Sequence, residues 1–163
     1  MISKDMLLQS MIHDCEISKH LFTKINAASM DYRPTPKQRS TKELLQYLSI
    51  CGIGGATCMT ENNWDLYGKF SERAAAMDVA EFPAVMDQQI AELKNLFNSL
   101  SEEDLETKEA PLPGGGTMPL GAAFLNAPAK WLTAYKMQLF LYAKAAEGSD
   151  IRTANVWGGQ DPK

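Results

Sequence analysis

The residues able to do chemistry are few, and their spacing limits what they can do. His13 and His20 lie seven apart on one helical face, two turns from each other. No His-x-x-x-His or Glu-x-x-His pair accompanies them, so a metal there would need ligands from other helices, and solvated or capped surface histidines are the simpler reading. Cys51 and Cys58 are also seven apart, on a second helix, and read as small apolar groups facing a core. No base or cation stands at helical spacing to lower a thiol pKa. Gly114-Gly115-Gly116 lacks the Lys and Ser/Thr of a phosphate loop and follows no strand. Two features carry more. Trp131, Tyr135, Gln138 and Tyr142 place several polar-tipped side chains on one stripe of the last long helix, where a helical bundle builds its sites. Gly52-x-Gly54-Gly55 sits inside a helix, where three glycines cost about 3 kcal/mol relative to alanine. Close helix packing is the first explanation; a ligand against bare backbone or a helix break are the others.

The elements that must position these groups are helical. Leu7, Met11, Cys15, Ser18, Phe22 and Ile25 recur at steps of three and four and predict a first helix over about residues 4–28. Pro34 and Pro36 break it. Ser40-x-x-Glu43 is a capping box that opens the second helix, whose stripe is Leu44, Leu48, Cys51, Gly55 and Cys58. A polar stretch over about 61–80 follows, with a short helix around 64–70. A third helix starts near Glu81 with Pro83 in its first turn and buries Phe82, Val85 or Met86, Ile90, Leu93, Phe97 and Leu100. Residues 101–104 suit one extra turn, and 110–119 read as a loop. The fourth helix spans about 119–147, kinked at Pro128 and stopped by Gly148; its stripe is Leu120, Phe124, Ala127, Trp131, Tyr135, Gln138, Tyr142 and Ala145. No strand, repeat or periodicity in the tail over 149–163 is evident. The expected organisation is one all-α four-helix bundle over 1–148, with a long connection between helices two and three, followed by a tail.

Composition narrows the partners. The 163 residues are 45% hydrophobic and 22% charged, ordinary for a globular domain. A net charge of −4 argues against nucleic acid, and the basic run Arg33, Lys37, Arg39, Lys42 reads as a solvated loop and helix start. No apolar run reaches the roughly 20 residues of a membrane span, and the N-terminus shows no signal-peptide core. Three cysteines without a CxxC pair fit buried thiols in a reducing cytoplasm.

Two stretches resemble the DinB/YfiT-like proteins. Tyr32-Arg33-Pro34-Thr35-Pro36 followed by Arg39-Ser40 and Glu43-Leu44-Leu45-Gln46-Tyr47-Leu48 is similar to that family's proline loop, Arg-Ser and Glu-Leu-Leu-x-His-Leu. Trp131-x-x-x-Tyr135-Lys136-Met137-Gln138-Leu139 is similar to its His-x-x-x-His-Arg-Gly-Gln-Leu. The likeness covers about residues 5–148. It implies a four-helix bundle whose standard site is one metal ion on three histidines; characterised relatives include thiol-dependent transferases and isomerases. By the same match the three ligand positions hold Tyr47, Trp131 and Tyr135 here. An indole offers a metal no lone pair, and a phenol must first lose a proton of pKa about 10. The expectation is therefore no metal and no cofactor, with a candidate small-molecule pocket at Tyr47, Trp131, Tyr135, Gln138 and Cys51. A thiol-dependent transferase with an atypical site and a structural module that forms a homodimer are the alternatives.

Overall fold

Four long helices form the bundle, in a computed structural model that describes residues 3–147 and 150–162. The first is α1 (Lys4–Phe22), capped by the Ser3 hydroxyl, which accepts from the Met6 amide. It ends six residues before its expected limit, and a 3₁₀ turn at Ala27–Ser29 completes that segment. The second, α2 (Thr41–Thr60), opens on the expected capping box, with Ser40 and Glu43 satisfying each other's amides. A 3₁₀ turn at Trp64–Leu66 leads into α3 (Tyr67–Ala76), which occupies the long connection. Next, α4 (Phe82–Asn98) carries its proline in the first turn, where a missing amide is harmless. A short α5 (Glu102–Thr107) follows. The neighbours around the bundle run α1, α4, α2 and the last long helix, so α1 and α2 face each other across the diagonal.

The loop expected at 110–119 contains a hairpin instead. Strands β1 (Glu109–Pro111) and β2 (Thr117–Pro119) pair antiparallel, Ala110 opposite Met118. Gly115 and Gly116, at φ +94° and +80°, supply the left-handed turn between them. Two three-residue strands, each ending in a proline, leave no alternating pattern to read.

The expected fourth helix is two. α6 (Leu120–Asn126) stops at Ala127, whose φ −126° and ψ −83° leave the helical region, and α7 (Pro128–Glu147) restarts with the proline as its first residue. The break shifts the buried face. Leu132, Lys136, Leu139 and Ala143 of α7 point into the bundle, whereas Trp131, Tyr135 and Gln138 are half-buried on its flank and Ala145 is exposed. The stripe expected to continue from Phe124 through Trp131 is thereby corrected. The helix stop at Gly148, and with it the boundary between bundle and tail, lies outside the described residues.

The core is continuous, from Met11 and Cys15 of α1 through Leu44 and Leu48 to Met86, Leu93, Phe97 and Phe124. Within the tail, α8 (Thr153–Gly158) packs against α1 and buries Val156 and Asn155. Both histidines hold it there: His13 Nε2 lies 3.2 Å from the Trp157 carbonyl, and Asn155 Nδ2 lies 3.0 Å from His20 Nε2. Asp161 accepts from Asn155 and pairs with Lys24.

Candidate functional site

Three glycines of α2 set the backbone on which the site is built, and each one receives a neighbour's side chain. A Cβ at Gly55 would stand 2.6 Å from Cζ3 of Trp131, and one at Gly54 would stand 3.1 Å from Tyr67 Cε2 and 3.2 Å from Phe70 Cγ. At Gly52 the visitors are Leu132 and the fully buried Gln89. The Gln89 carboxamide lies along the helix backbone. Its Oε1 accepts from the Gly52 and Ile53 amides at 3.0 and 3.1 Å, while its Nε2 donates to the Leu48 carbonyl at 2.9 Å. Close packing thus accounts for all three glycines.

On this platform the aromatic residues assemble. Tyr47 of α2 and Tyr135 of α7 meet edge to face, with ring centroids 4.6 Å apart. The Arg39 guanidinium lies over both, its Cζ 4.2 Å from the Tyr47 centroid and 5.3 Å from that of Tyr135. Trp131, one turn before Tyr135, contacts Trp64 at 6.3 Å, and Trp64 contacts Tyr67 at 6.1 Å. The Trp64 indole also donates to the Pro111 carbonyl, which fastens the hairpin to this end of the bundle. The Tyr67 hydroxyl is enclosed, lies beside the Tyr47 side chain and meets no partner at hydrogen-bond geometry.

Burial sets the electrostatics. It raises the Tyr47 phenol to about 12, with Cys51 adding to the rise. It raises Tyr67 further, followed by the effect of Tyr47. Both phenols are therefore neutral at physiological pH. Burial also pushes the Cys51 and Cys15 thiols well up and Cys58 to about 11, so none of the three is a ready thiolate. All three cysteines are free and buried.

Of the five residues expected to form one site, Tyr47 and Tyr135 are in ring contact, and Trp131 joins them through Trp64 and Tyr67. Cys51 lies beneath Tyr47, one turn on, with its thiol directed at the Leu48 carbonyl. Gln138 stands behind the rings: it donates to the Tyr142 hydroxyl at 2.6 Å, which donates to the Arg39 carbonyl at 2.8 Å. Its part is to hold the loop that carries Arg39. Trp64, Tyr67 and Arg39 are absent from the sequence expectation, although the Trp64/Tyr67 pair at i, i+3 on the short connecting helix is a signal that could have found two of them.

A divalent ion does not suit this donor set. Trp131 offers no lone pair, Tyr47 holds its proton, and the Tyr47 and Tyr135 rings pack directly on each other. Among the described residues no group of three or more His, Cys, Asp or Glu side chains could hold a metal. No helix of the described residues is long and apolar enough to cross a membrane.

A second buried polar group lies away from the rings. Lys136 Nζ pairs with Asp14 Oδ1 at 2.6 Å, with side chains only 2% and 10% exposed, and Asp14 Oδ2 accepts from the Thr133 hydroxyl. The Trp157 ring of α8 covers the ammonium at 4.9 Å.

No protein-family profile and no curated protein matches the sequence. Among solved structures, a DinB-like protein of Bacillus subtilis, YjoA, superposes with a TM-score of 0.69 at 16% identity, over 90% of this chain and 95% of that one. The chain accordingly has the all-α fold of a DinB-like protein.

Proposed function

We propose that this is a metal-independent protein of DinB-like fold that binds a small molecule at the aromatic end of its bundle. The observation that carries the reading is the Tyr47–Tyr135 contact under Arg39, at positions where the family resemblance sets imidazole ligands. Imidazoles offer lone pairs; these residues offer ring faces, which bind through apolar contact and through attraction for positive charge. Tyr47, Trp64, Tyr67, Trp131 and Tyr135 are all half-buried, so their rings are partly accessible to a ligand.

Two measurements test this reading. Protein purified without chelators should contain no stoichiometric metal, and added zinc or nickel should leave its melting temperature unmoved. In a Trp157→Phe variant only Trp64 and Trp131 emit, and both belong to the site. A panel of cationic, anionic and neutral aromatic small molecules should include members that change this emission saturably. Stoichiometric metal removes the metal-independent reading, and silence across the whole panel removes the ligand site.

A further inference from the structure

We propose that the aromatic end is a receptor for a small guanidinium-bearing molecule, and that Arg39 takes that ligand's position in the free protein. The inference rests on the reading that this end binds a ligand, and it names the ligand's chemistry.

The Arg39 side chain is held by ring faces rather than by an anion. Its Cζ stands over two tyrosine rings, yet among the described residues Arg39 makes no ion pair, while nearby Arg33 pairs with Glu43. A guanidinium suits such a place because it is planar, delocalised and weakly hydrated, so it loses little on leaving water for a ring face. A compact ammonium loses more.

The backbone at Arg39 is fixed while its side chain is exposed. The Arg39 carbonyl is tied through Tyr142 to Gln138, and Ser40, the next residue, caps α2. Rotation about side-chain bonds alone can therefore withdraw the guanidinium, leaving the rings in place and the main chain undisturbed.

The two ring faces select the cation, not a local excess of negative charge, since Glu43, one helical turn before Tyr47, is already engaged by Arg33 and by the Ser40 amide.

The experiment compares wild type, Arg39→Ala and Arg39→Gln, each carrying Trp157→Phe. The probes are methylguanidinium, tetramethylammonium and ammonium chlorides, sodium benzoate and neutral phenol, at matched ionic strength. Circular dichroism verifies folding; Trp emission and melting temperature report binding. Methylguanidinium should bind Arg39→Ala saturably and about tenfold more tightly than wild type, because no internal cation has to leave. Ammonium should give no saturable change, and adding Tyr47→Leu should abolish methylguanidinium binding. Benzoate binding to wild type that is lost in Arg39→Ala would make Arg39 an anion clamp and overturn the proposal. Binding of phenol without any cation would also overturn it, while leaving the aromatic site standing. Silence with every probe removes both. Loss of fold in both Arg39 variants would assign Arg39 a structural role, again against the proposal.

Discussion

Replacing Gly55 by alanine sets two effects of known sign against each other. The added methyl gains about 1 kcal/mol of helix propensity in the middle of α2. It also stands 2.6 Å from Trp131 Cζ3, 3.2 Å from Cε3 and 3.4 Å from Pro128 Cβ. Carbon atoms pack best at about 3.5–4.0 Å, so the indole must retreat by about 1 Å. Retreat is resisted because Trp131 contacts Trp64, which is itself fastened to the hairpin. Overpacking of this kind costs about 1–3 kcal/mol, which leaves Gly55→Ala about 1 kcal/mol less stable than wild type. The corresponding fall in melting temperature is about 2–4 °C for a chain of this size. Gly68→Ala is the matched control, since a Cβ there meets nothing within 4 Å at an exposed position in α3. It should gain about 0.5 kcal/mol. Urea unfolding followed by circular dichroism measures both, and the emission of Trp131 should shift in the Gly55 variant alone. Equal gains in stability for the two variants would refute the argument that Gly55 exists to seat the indole.

Two further outcomes follow from buried polar groups. Lys136→Met strands the Asp14 carboxylate inside the protein and should cost about 3–5 kcal/mol, whereas Asp14→Leu combined with Lys136→Met should recover most of the loss; equal costs in a urea double-mutant cycle would deny the pairing. Burial, with help from Lys24 and against Asp161, lowers the His20 pKa below its ordinary 6.5. The unfolded chain then takes up a proton first, so stability should decline as pH falls below about 6.5 and level off beneath the folded value. His20→Gln should remove that decline, as read from melting temperature against pH.

The helices were legible because their signals are local. A capping box at Ser40–Glu43, a proline in the first turn of α4 and an apolar residue every three or four positions are each complete within one segment. The Tyr47–Tyr135 contact was legible for another reason, the match of two separated motifs to one fold. Arg39 was not, since nothing in its own neighbourhood distinguishes a stacked guanidinium from the solvated basic residues around it. The Asp14–Lys136 pair was hidden for the same reason: its partners are 122 positions apart, and a lysine inside an apolar stripe reads as a surface residue. The two histidines read as surface groups and in fact hold α8, a helix too short to show a period.

The break at Ala127 decides what kind of site the aromatics make. On one uninterrupted helix, Trp131 would lie about 20° around the axis from Leu120, and Leu132 about 120° from it. Trp131 and Tyr135 would then continue the face of Leu120 and Phe124 into the core as a buried plug. The interruption instead sends Leu132 and Leu139 into the core and leaves the two aromatics half-buried at the seam with α2. At that seam a helix of ordinary residues would keep the indole away, and Gly55 removes the obstructing Cβ. The proline that starts α7 and the glycine in α2 are thus two halves of one arrangement. One turns the rings out of the core, and the other lets them lie against the neighbouring backbone, with the Tyr47 and Tyr135 faces within reach of a cation.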